Sequence, residues 1–223
     1  MAEKYGKIPP RFTKAWWDYF WMYYKVHVIA IAFALILIVI TVVQVVNEPK
    51  YDTTLMYAGP LAFPEEIAER ITKEASPLCE DLDNNGEKSL NFYQLNMNDD
   101  DPEYSYAMSQ KLYLTLAADE IYLYALDADI ASSYLEDSSS EGVFVSIDKW
   151  YNKELPDDAV LSHNGIAFGV KLTECKVFKE IAKEYNVDLS DTYLFMRYYP
   201  REDQEKQIEG YNAAKKLAAR LVG

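Results

Sequence analysis

Residues 28–46 read VIAIAFALILIVITVVQVV and decide how the rest of the chain is organised. Fourteen of these nineteen residues are Val, Ile, Leu or Phe, and none is charged. An α-helix rises about 1.5 Å per residue, so about twenty such residues cross the roughly 30 Å hydrocarbon core of a bilayer. The sequence therefore predicts a transmembrane helix at 26–47, between a short segment, 1–25, and a large domain, 50–223.

The charges on the two sides of this span differ in sign. Residues 1–25 contain five basic and two acidic residues, which leaves +3; the rest of the chain contains 17 basic and 34 acidic residues, which leaves −17. Basic residues next to a span stay in the cytoplasm. We expect a single pass through the cell membrane, with the N-terminus cytoplasmic and the C-terminal domain extracytoplasmic. The alternative is a cleaved signal peptide, whose apolar region is usually about 7–15 residues and precedes a small-x-small site, which residues 45–49 (VVNEP) lack.

Aromatic residues cluster immediately before the span. Trp and Tyr rings prefer the headgroup level of a bilayer, so this cluster predicts a membrane-interface belt. The expected belt residues are Trp16, Trp17, Tyr19, Phe20, Trp21, Tyr23 and Tyr24. Anchoring alone accounts for them; the alternative is a docking surface for another membrane protein.

The acidic domain has the size of one ordinary domain. Its charge argues against a nucleic-acid partner, because phosphates require a basic footprint. Its two cysteines, Cys79 and Cys175, either form a disulfide in an oxidising compartment or serve as two buried small hydrophobic residues. The pattern leaves both alternatives open.

Strand and helix patterns alternate through this domain, which predicts an α/β fold with three layers and a mixed, mainly parallel sheet. The run IYLYAL at 121–126 does not alternate with polar residues, as is typical of strands covered on both faces. Strands are predicted at 51–59, 89–95, 121–126, 143–147, 160–170 (a hairpin turning at Asn164-Gly165) and 193–198. Helices are predicted after Pro64, after the cap Asp101, after the cap Thr173, and at 202–221.

Polar residues follow the first three predicted strands. Ligands of open α/β sheets bind beyond the carboxyl ends of the parallel strands, where such residues meet. The candidate ligand-binding residues are Tyr57, Gly59, Asn96, Asn98, Asp127 and Asp129. The structural alternative is that Asn and Asp make turns and caps here, with Asp129 as the N-cap of the next helix.

The segment DLDNNGEKS at 81–89 resembles the first nine positions of an EF-hand loop. Asp81, Asp83 and Asn85 stand at positions 1, 3 and 5, and Gly86 stands at the turn position 6. Phe92 occupies position 12, where a bidentate Glu is expected. The sequence therefore predicts at most a weak calcium site, with an acidic turn as the alternative.

Asp127-Ala128-Asp129 resembles the Asp-x-Asp motif of haloacid-dehalogenase-type phosphatases. The resemblance implies a magnesium-dependent enzyme in which one carboxylate is the nucleophile and the other the acid and base. In that family the motif follows the first strand and is followed two residues later by Thr or Val. Here it follows the third strand, and Ala131 takes that position.

The order of elements resembles one lobe of the type 2 periplasmic (extracellular solute-) binding proteins. The resemblance lies in the opening strand at 51–59, the passage LAADEIYL at 116–123 and the return segment GIAFGV at 165–170. It implies a binding domain that does no catalysis. The chain also resembles short single-pass proteins of Gram-positive bacteria that join such a domain to an aromatic, basic anchor.

These observations rank three functions. The first is a membrane-anchored extracytoplasmic module, not an enzyme, that binds an unidentified small molecule or protein. The second is a structural or assembly subunit of a membrane complex, which uses the aromatic belt and the span. The third is the phosphatase based on Asp127 and Asp129. The expected partners are the lipid bilayer and a small molecule or protein, and no cofactor is expected apart from weakly bound calcium.

Overall fold

The computed structural model describes residues 9–46, 49–97, 101–118, 120–136, 142–198 and 205–223. The chain divides into two compact units, Met1–Lys50 and Tyr51–Gly223.

The first unit is built on one long helix, α1, which spans Lys14–Val46. The side chain of Thr13 supports its first turn by accepting a hydrogen bond from the Trp16 N–H at 3.3 Å. The helix then runs without a break from the aromatic residues into the apolar run. Within the described ranges it is the one helix long and apolar enough to cross a membrane. A membrane anchor and an N-terminal signal sequence both contain such a helix.

The second unit is an α/β domain, as its sequence predicts. Its strands are β1 (Thr53–Gly59), β2 (Leu90–Asn96), β3 (Leu123–Asp127), β4 (Val160–His163), β5 (Ile166–Lys171) and β6 (Thr192–Met196). Its helices are α2 (Glu65–Ala75), α3 (Pro102–Ala117), α4 (Ala128–Glu136), α5 (Lys176–Tyr185) and α6 (Glu205–Val222).

The six strands form one open mixed sheet in the order β2-β1-β3-β6-β5-β4. β1 pairs in parallel with β2 and β3, whereas β6 runs antiparallel between β3 and β5, and β4 pairs antiparallel with β5. The prediction of a mainly parallel sheet is therefore wrong, since three of these five pairings are antiparallel. The long return from β3 to β6 reverses the chain direction, which the local apolar patterns do not reveal.

Side chains point alternately to the two faces along each strand, so both faces of the sheet carry apolar residues. Helices cover both faces. Leu55 and Tyr57 of β1 point into a core completed by α2, α5 and α6, with Phe178 and Leu217 among its buried residues. The neighbouring Met56 points into a second core, completed by α3 and α4. This arrangement buries all five residues of β6, which explains why four of them, Tyr193–Met196, are apolar or aromatic.

Two local predictions are confirmed. The Asp101 side chain caps α3 by accepting hydrogen bonds from the N–H groups of Glu103 and Tyr104. Asn164 and Gly165 form a two-residue turn with positive φ angles of 50° and 77°, and they join β4 to β5 as a hairpin. Both motifs work because a few neighbouring residues suffice to determine them.

The predicted strand at 143–147 is wrong. Phe144 makes a single antiparallel bridge to Arg197, and the chain then enters a 3₁₀ turn at Ile147–Lys149. β5 pairs with this side of β6 as far as Phe195, so residues 143–145 reach only the end of β6. The mainly apolar run at 143–147 identifies a buried segment but not how many strands lie next to it.

The predicted cap at Thr173 is also wrong. Thr173 lies inside a 3₁₀ turn, Leu172–Glu174, and α5 begins after Cys175 without a side-chain cap. At its other end α5 finishes at Asn186, whose left-handed conformation (φ 53°) is typical of a helix C-cap. The final helix, predicted from residue 202, is seen from Glu205, and residues 199–204 are outside the described ranges.

Candidate functional site

The carboxyl ends of the three parallel strands lie side by side. Gly59 of β1 pairs with Asn96 of β2, and Ala58 pairs with Leu126 of β3, which places Asp127 next to them. The structure thus brings together Gly59, Asn96 and Asp127 at one edge, which we call the strand-end edge. Asn98, another candidate, lies outside the described residues.

Tyr57 belongs to the core beneath this edge. Its side chain is fully buried, its ring meets Phe63 edge-on with centroids 4.8 Å apart, and its hydroxyl oxygen accepts a hydrogen bond from the Leu61 N–H at 3.0 Å. Burial, together with the Asp127 carboxylate, raises the pKa of Tyr57 despite the Leu61 hydrogen bond. The hydroxyl group is therefore a neutral phenol at physiological pH.

Asp127 caps the helix that follows β3. Its Oδ1 accepts a hydrogen bond from the Asp129 N–H at 3.1 Å, whereas Asp129 lies exposed in the first turn of α4. The proposed role of Asp129 as N-cap is therefore wrong, because the strand ends and the helix begins without an intervening loop. Burial raises the pKa of the Asp127 carboxyl, and the charges of Asp129 and Asp191 add to this effect.

Asp191 is a residue of this edge that sequence reasoning missed. It immediately precedes β6, whose first residue, Thr192, pairs with Asp127. Its carbonyl oxygen accepts a hydrogen bond from the Ala128 N–H at 2.8 Å. β6 runs antiparallel to β3, so it starts at the edge of the sheet where β3 ends. Only the pairing of these two strands could have identified Asp191.

Asn96 contributes an unusual polar atom to the strand-end edge. Its side-chain oxygen, Oδ1, is buried and has no hydrogen-bond partner within the described part of the chain. Next to it, the Met97 N–H donates to the Gly59 carbonyl oxygen at 2.8 Å, so the backbone pairing continues past the end of β2. A buried acceptor without a donor costs about 1–3 kcal/mol. The strand-end edge therefore contains one buried amide oxygen and the carboxylates of Asp127, Asp129 and Asp191.

Residues 81–89, which we call the acidic loop, form a second polar cluster. The Asp81 carboxylate accepts hydrogen bonds from the N–H groups of Asn85 (3.2 Å) and Gly86 (3.0 Å), and Asp83 accepts from the Asn85 N–H at 3.1 Å. Asn85 turns its own Oδ1 to the Glu87 N–H at 2.7 Å. Backbone donors thus already use several of the oxygens that an EF-hand gives to calcium.

Asp52, just before β1, reaches this loop from the strand next to β2. One oxygen each of Asp52, Asp81 and Asp83 lies within 4.8 Å of the others. Asp52 accepts hydrogen bonds from the Leu82 N–H (2.7 Å) and from the Ser89 N–H and hydroxyl group (both 2.8 Å). Sequence reasoning missed Asp52 because it is about thirty residues from the loop. These three carboxylates are the described groups best placed to hold a metal ion.

Opposing effects act on the pKa of Asp52. Desolvation raises the pKa of its carboxyl, but the hydrogen bonds from Leu82, Ser89 and Asp83 together outweigh it and hold the pKa below its ordinary value. Asp52 is therefore ionised at neutral pH, as a cation ligand must be.

The aromatic residues of α1 contact one another along the helix. Trp16 stacks on Phe20 (centroids 5.3 Å apart), Phe20 on Tyr24 (5.4 Å), and Tyr19 meets Tyr23 at 4.7 Å. These are i, i+4 pairs, so the rings form rows along the helix surface. The predicted belt residues Trp17 and Trp21 are each 53 % exposed.

The two cysteines are not joined. Cys79 and Cys175 are both fully buried free thiols, and burial raises the pKa of each. Of the two alternatives, they are therefore buried small hydrophobic residues.

Grooves flank the β4–β5 hairpin, and sequence reasoning did not identify them. One has a volume of about 580 Å³ and is lined by residues that include Tyr151, Lys153 and Ser162. The other, of about 350 Å³, lies along His163 and Ile166. Both sizes fall in the range of small-molecule sites.

Comparison with known proteins adds nothing to this geometry: no protein family, curated protein or solved structure matches the chain. The resemblances to periplasmic binding proteins and to phosphatases therefore rest on the sequence.

Proposed function

We propose that this chain is a membrane-anchored extracytoplasmic module that binds a ligand or a partner without catalysing a reaction. The anchor is α1, kept in the mature protein, with the basic segment 1–25 in the cytoplasm. The charge difference across the span and the row of aromatic rings at its start support this orientation. The domain 50–223 then faces the outside, where its acidic surface meets solutes rather than nucleic acid.

The observation that carries the binding proposal is the buried Oδ1 of Asn96 at the strand-end edge. A ligand N–H would satisfy this acceptor and recover the free energy lost by leaving it without a donor. The neighbouring carboxylates of Asp127 and Asp129 favour a ligand with positive charge. The ligand class is therefore a small molecule that carries an ammonium group or several N–H donors.

The test is thermal unfolding of the purified full-length chain against amines, basic amino acids, short peptides and sugars. A compound at 100 times its Kd adds about 2.7 kcal/mol to the free energy of unfolding. We expect a shift with amine-bearing compounds that Asn96→Leu and Asp127→Asn remove. Asp158→Asn, in an exposed turn away from the edge, is the matched control. Shifts that all three variants share, or none at all, would reject this edge as the site.

We include in this proposal that the domain 50–223 is a lobe resembling one lobe of a type 2 periplasmic binding protein. The sheet order supports it: β3 follows the passage at 116–123 and lies centrally, and the chain returns through antiparallel strands. A single lobe has no second lobe to close on it, so we expect binding at an open edge rather than inside a clamp.

The rows of stacked rings on α1 favour a second candidate, an assembly subunit that docks through its span. Replacing residues 14–46 by an unrelated transmembrane helix separates the two functions. Ligand binding would survive the replacement, whereas co-purification of a membrane partner would be lost if the span itself is the docking element.

A weak calcium site at the acidic loop completes the proposal. Asp52 supports it by supplying a third carboxylate from outside the loop, where Phe92 leaves position 12 without one. Bound calcium would tie the start of β1 to the loop before β2 and stabilise the domain.

A further inference from the structure

Helix α3 is apolar on two opposite sides. Leu112 and Leu116 face the core, where they are 0 % and 5 % exposed. On the far side, Tyr106, Tyr113 and Leu114 are each about two-thirds exposed (66 %, 64 % and 65 %). A surface helix ordinarily has one apolar stripe, so this second stripe requires an explanation.

The exposed residues repeat with the spacing of a helix–helix contact. Tyr106, Gln110, Tyr113 and Ala117 follow one another at intervals of four, three and four residues, and Leu114 lies alongside. We call these five residues the α3 seam. A 4-3-4 repeat places side chains in one row that faces a partner helix. Tyr106, Gln110, Tyr113 and Leu114 also surround a surface concavity of about 470 Å³, which can receive a side chain of the partner.

Two polar side chains, Gln110 in the seam and Ser109 beside it, already have hydrogen-bond partners within the helix. The Gln110 side-chain amide donates a hydrogen bond to the Tyr106 hydroxyl oxygen at 2.6 Å. The hydroxyl group of Ser109, at the edge of the concavity, donates to the Ser105 carbonyl oxygen at 2.9 Å. Polar groups that already have partners cost less to remove from water.

Charge indicates what the partner is. The seam has no charged residue, and the one lysine of α3, Lys111, lies over the Tyr93 ring with its Nζ 4.9 Å from the centroid. The chain as a whole has a net charge of −14. A basic partner would bind the acidic surface of the domain rather than the uncharged α3 seam. Two identical acidic domains approach each other most favourably where their charge is absent.

We propose that the α3 seam is the interface of a symmetric homodimer, in which α3 packs against α3 of a second copy. The buried area sets its strength. A tyrosine buries about 150–250 Å², so the exposed parts of Tyr106, Tyr113 and Leu114 provide roughly 300–450 Å² per copy. The total, roughly 600–900 Å², is below the ~1,200 Å² of stable complexes. The dimer is therefore weak in dilute solution and forms when copies are confined to one membrane, a step that rests on the proposed anchor.

The test is cross-linking of the full-length chain in phosphatidylcholine vesicles. Gln110 is central in the seam, so it approaches its own copy whether the helices run parallel or antiparallel. Gln110→Cys should cross-link with a short bis-maleimide. Lys179→Cys, exposed on α5, is the matched control. The native Cys79 and Cys175 are buried, so the wild-type chain gives the background.

A second pair of variants tests the seam itself. Tyr113→Glu, added to Gln110→Cys, puts a charge from each copy into the uncharged interface, and we expect the cross-linked fraction to fall about tenfold. Tyr104→Glu changes the same residue type on the same helix but off the seam, and it should leave cross-linking unchanged. Equal cross-linking at positions 110 and 179, or no effect of Tyr113→Glu, would overturn the dimer.

Two further measurements separate this proposal from its alternatives. A fluorophore attached to the new thiol of the Gln110→Cys variant reports contact with lipid, and its quenching by brominated lipid would assign the seam to the bilayer surface and reject the dimer. Alkaline carbonate extraction tests the anchor independently: a chain that is extracted disproves the anchor, whereas a retained chain that does not cross-link disproves the dimer. Circular dichroism of each variant confirms that the exposed substitutions leave the fold intact.

Discussion

The ring of Tyr57 lies against the backbone of Gly59, so close that a Cβ atom at position 59 would overlap with the Tyr57 hydroxyl oxygen. Two of the candidate ligand-binding residues are thus in contact with each other. The glycine has a packing reason that is independent of any ligand, because only a residue without a side chain leaves room for the buried phenol.

Gly59→Ala should lower the free energy of unfolding by about 1–3 kcal/mol, the usual cost of overpacking a core. The added methyl group displaces the ring of Tyr57, which is held between Phe63 and the Leu61 N–H. Urea unfolding of the two proteins measures the difference. In a Tyr57→Leu background the cost should shrink, since the overlapping ring atoms are gone.

Gly210→Ala is the matched control and should have the opposite sign. Gly210 lies in α6, where the new Cβ would meet the Tyr122 ring at an ordinary 3.4 Å. Alanine is favoured over glycine in a helix by about 0.5–1 kcal/mol. Equal losses from both substitutions would contradict the specific contact between Tyr57 and Gly59.

Asp127→Asn should raise the free energy of unfolding at pH 7. The pKa of Asp127 is higher in the folded protein than its ordinary value of 3.8, so the ionised carboxylate is less favourable in the folded state than in the unfolded one. This penalty is present above the raised pKa and disappears as the pH falls below 3.8. The advantage of the variant should therefore shrink when unfolding is measured at progressively lower pH.

Because Asp127 caps α4, two substitutions separate the effect of its charge from the effect of its side-chain size. Asn caps a helix about as well as Asp, whereas Asp127→Ala loses the hydrogen bond from Asp129 and should be about 0.5–2 kcal/mol less stable than Asp127→Asn. If the advantage of Asp127→Asn instead grows as the pH falls, the folded state stabilises the ionised carboxylate. That result would contradict a raised pKa for Asp127.

Asp52→Ala should lower the free energy of unfolding by about 1–3 kcal/mol, because the N–H groups of Leu82 and Ser89 lose their acceptor. The pKa of Asp52 is depressed in the folded state, so its contribution is complete above its ordinary value of 3.8 and is lost as the pH falls through the depressed value. Chemical unfolding at pH 7 and near pH 3 should show the wild type approaching the variant in acid. A difference that does not depend on pH would assign the loss to packing.

Calcium should raise the melting temperature of the full-length chain by a few degrees. Weak extracellular sites have Kd values of about 10⁻⁴–10⁻³ M. At about 10 mM calcium and a Kd of about 1 mM, the added stability is about 1.4 kcal/mol, or roughly 3–6 °C. Asp81→Asn and Asp52→Asn should remove the shift, and Asp158→Asn should keep it. An equal shift with magnesium, or one that survives both variants, would locate the effect elsewhere.

The full-length chain of 223 residues should remain in the membrane fraction after alkaline carbonate treatment. Protease added outside intact cells should digest the domain and leave the segment around α1 protected. The same protease on inside-out vesicles should instead remove the N-terminal end. A species beginning near residue 50 in the medium would identify α1 as a cleaved signal sequence.

What could be predicted from the sequence depended on how local the determining contacts are. Asp101, the Asn164-Gly165 turn and the three parallel strands were recognised because neighbouring residues specify them. Asp52 and Asp191 were missed because each joins its cluster through a strand pairing that spans thirty or more residues. The pattern at 143–147 signalled burial correctly, but the position of β5 along β6 limits it to one bridge.

The exposed side of α3 shows a different reason for a missed feature. The sequence predicted a helix after Asp101, but it did not distinguish buried residues such as Leu112 and Leu116 from exposed ones such as Tyr106 and Leu114. Only the three-dimensional structure separates the two stripes, since both recur at helical spacing.

The position of β6 bears on how the nascent chain folds. Of the strands that the structure describes, β6 is the last to be synthesised, yet it is the one that joins β3 to β5. About 65 residues separate the end of β3 from β6, which takes roughly 3–13 s at about 5–20 residues per second. During this time the apolar strand β3 has no partner strand on the side where β6 will pair.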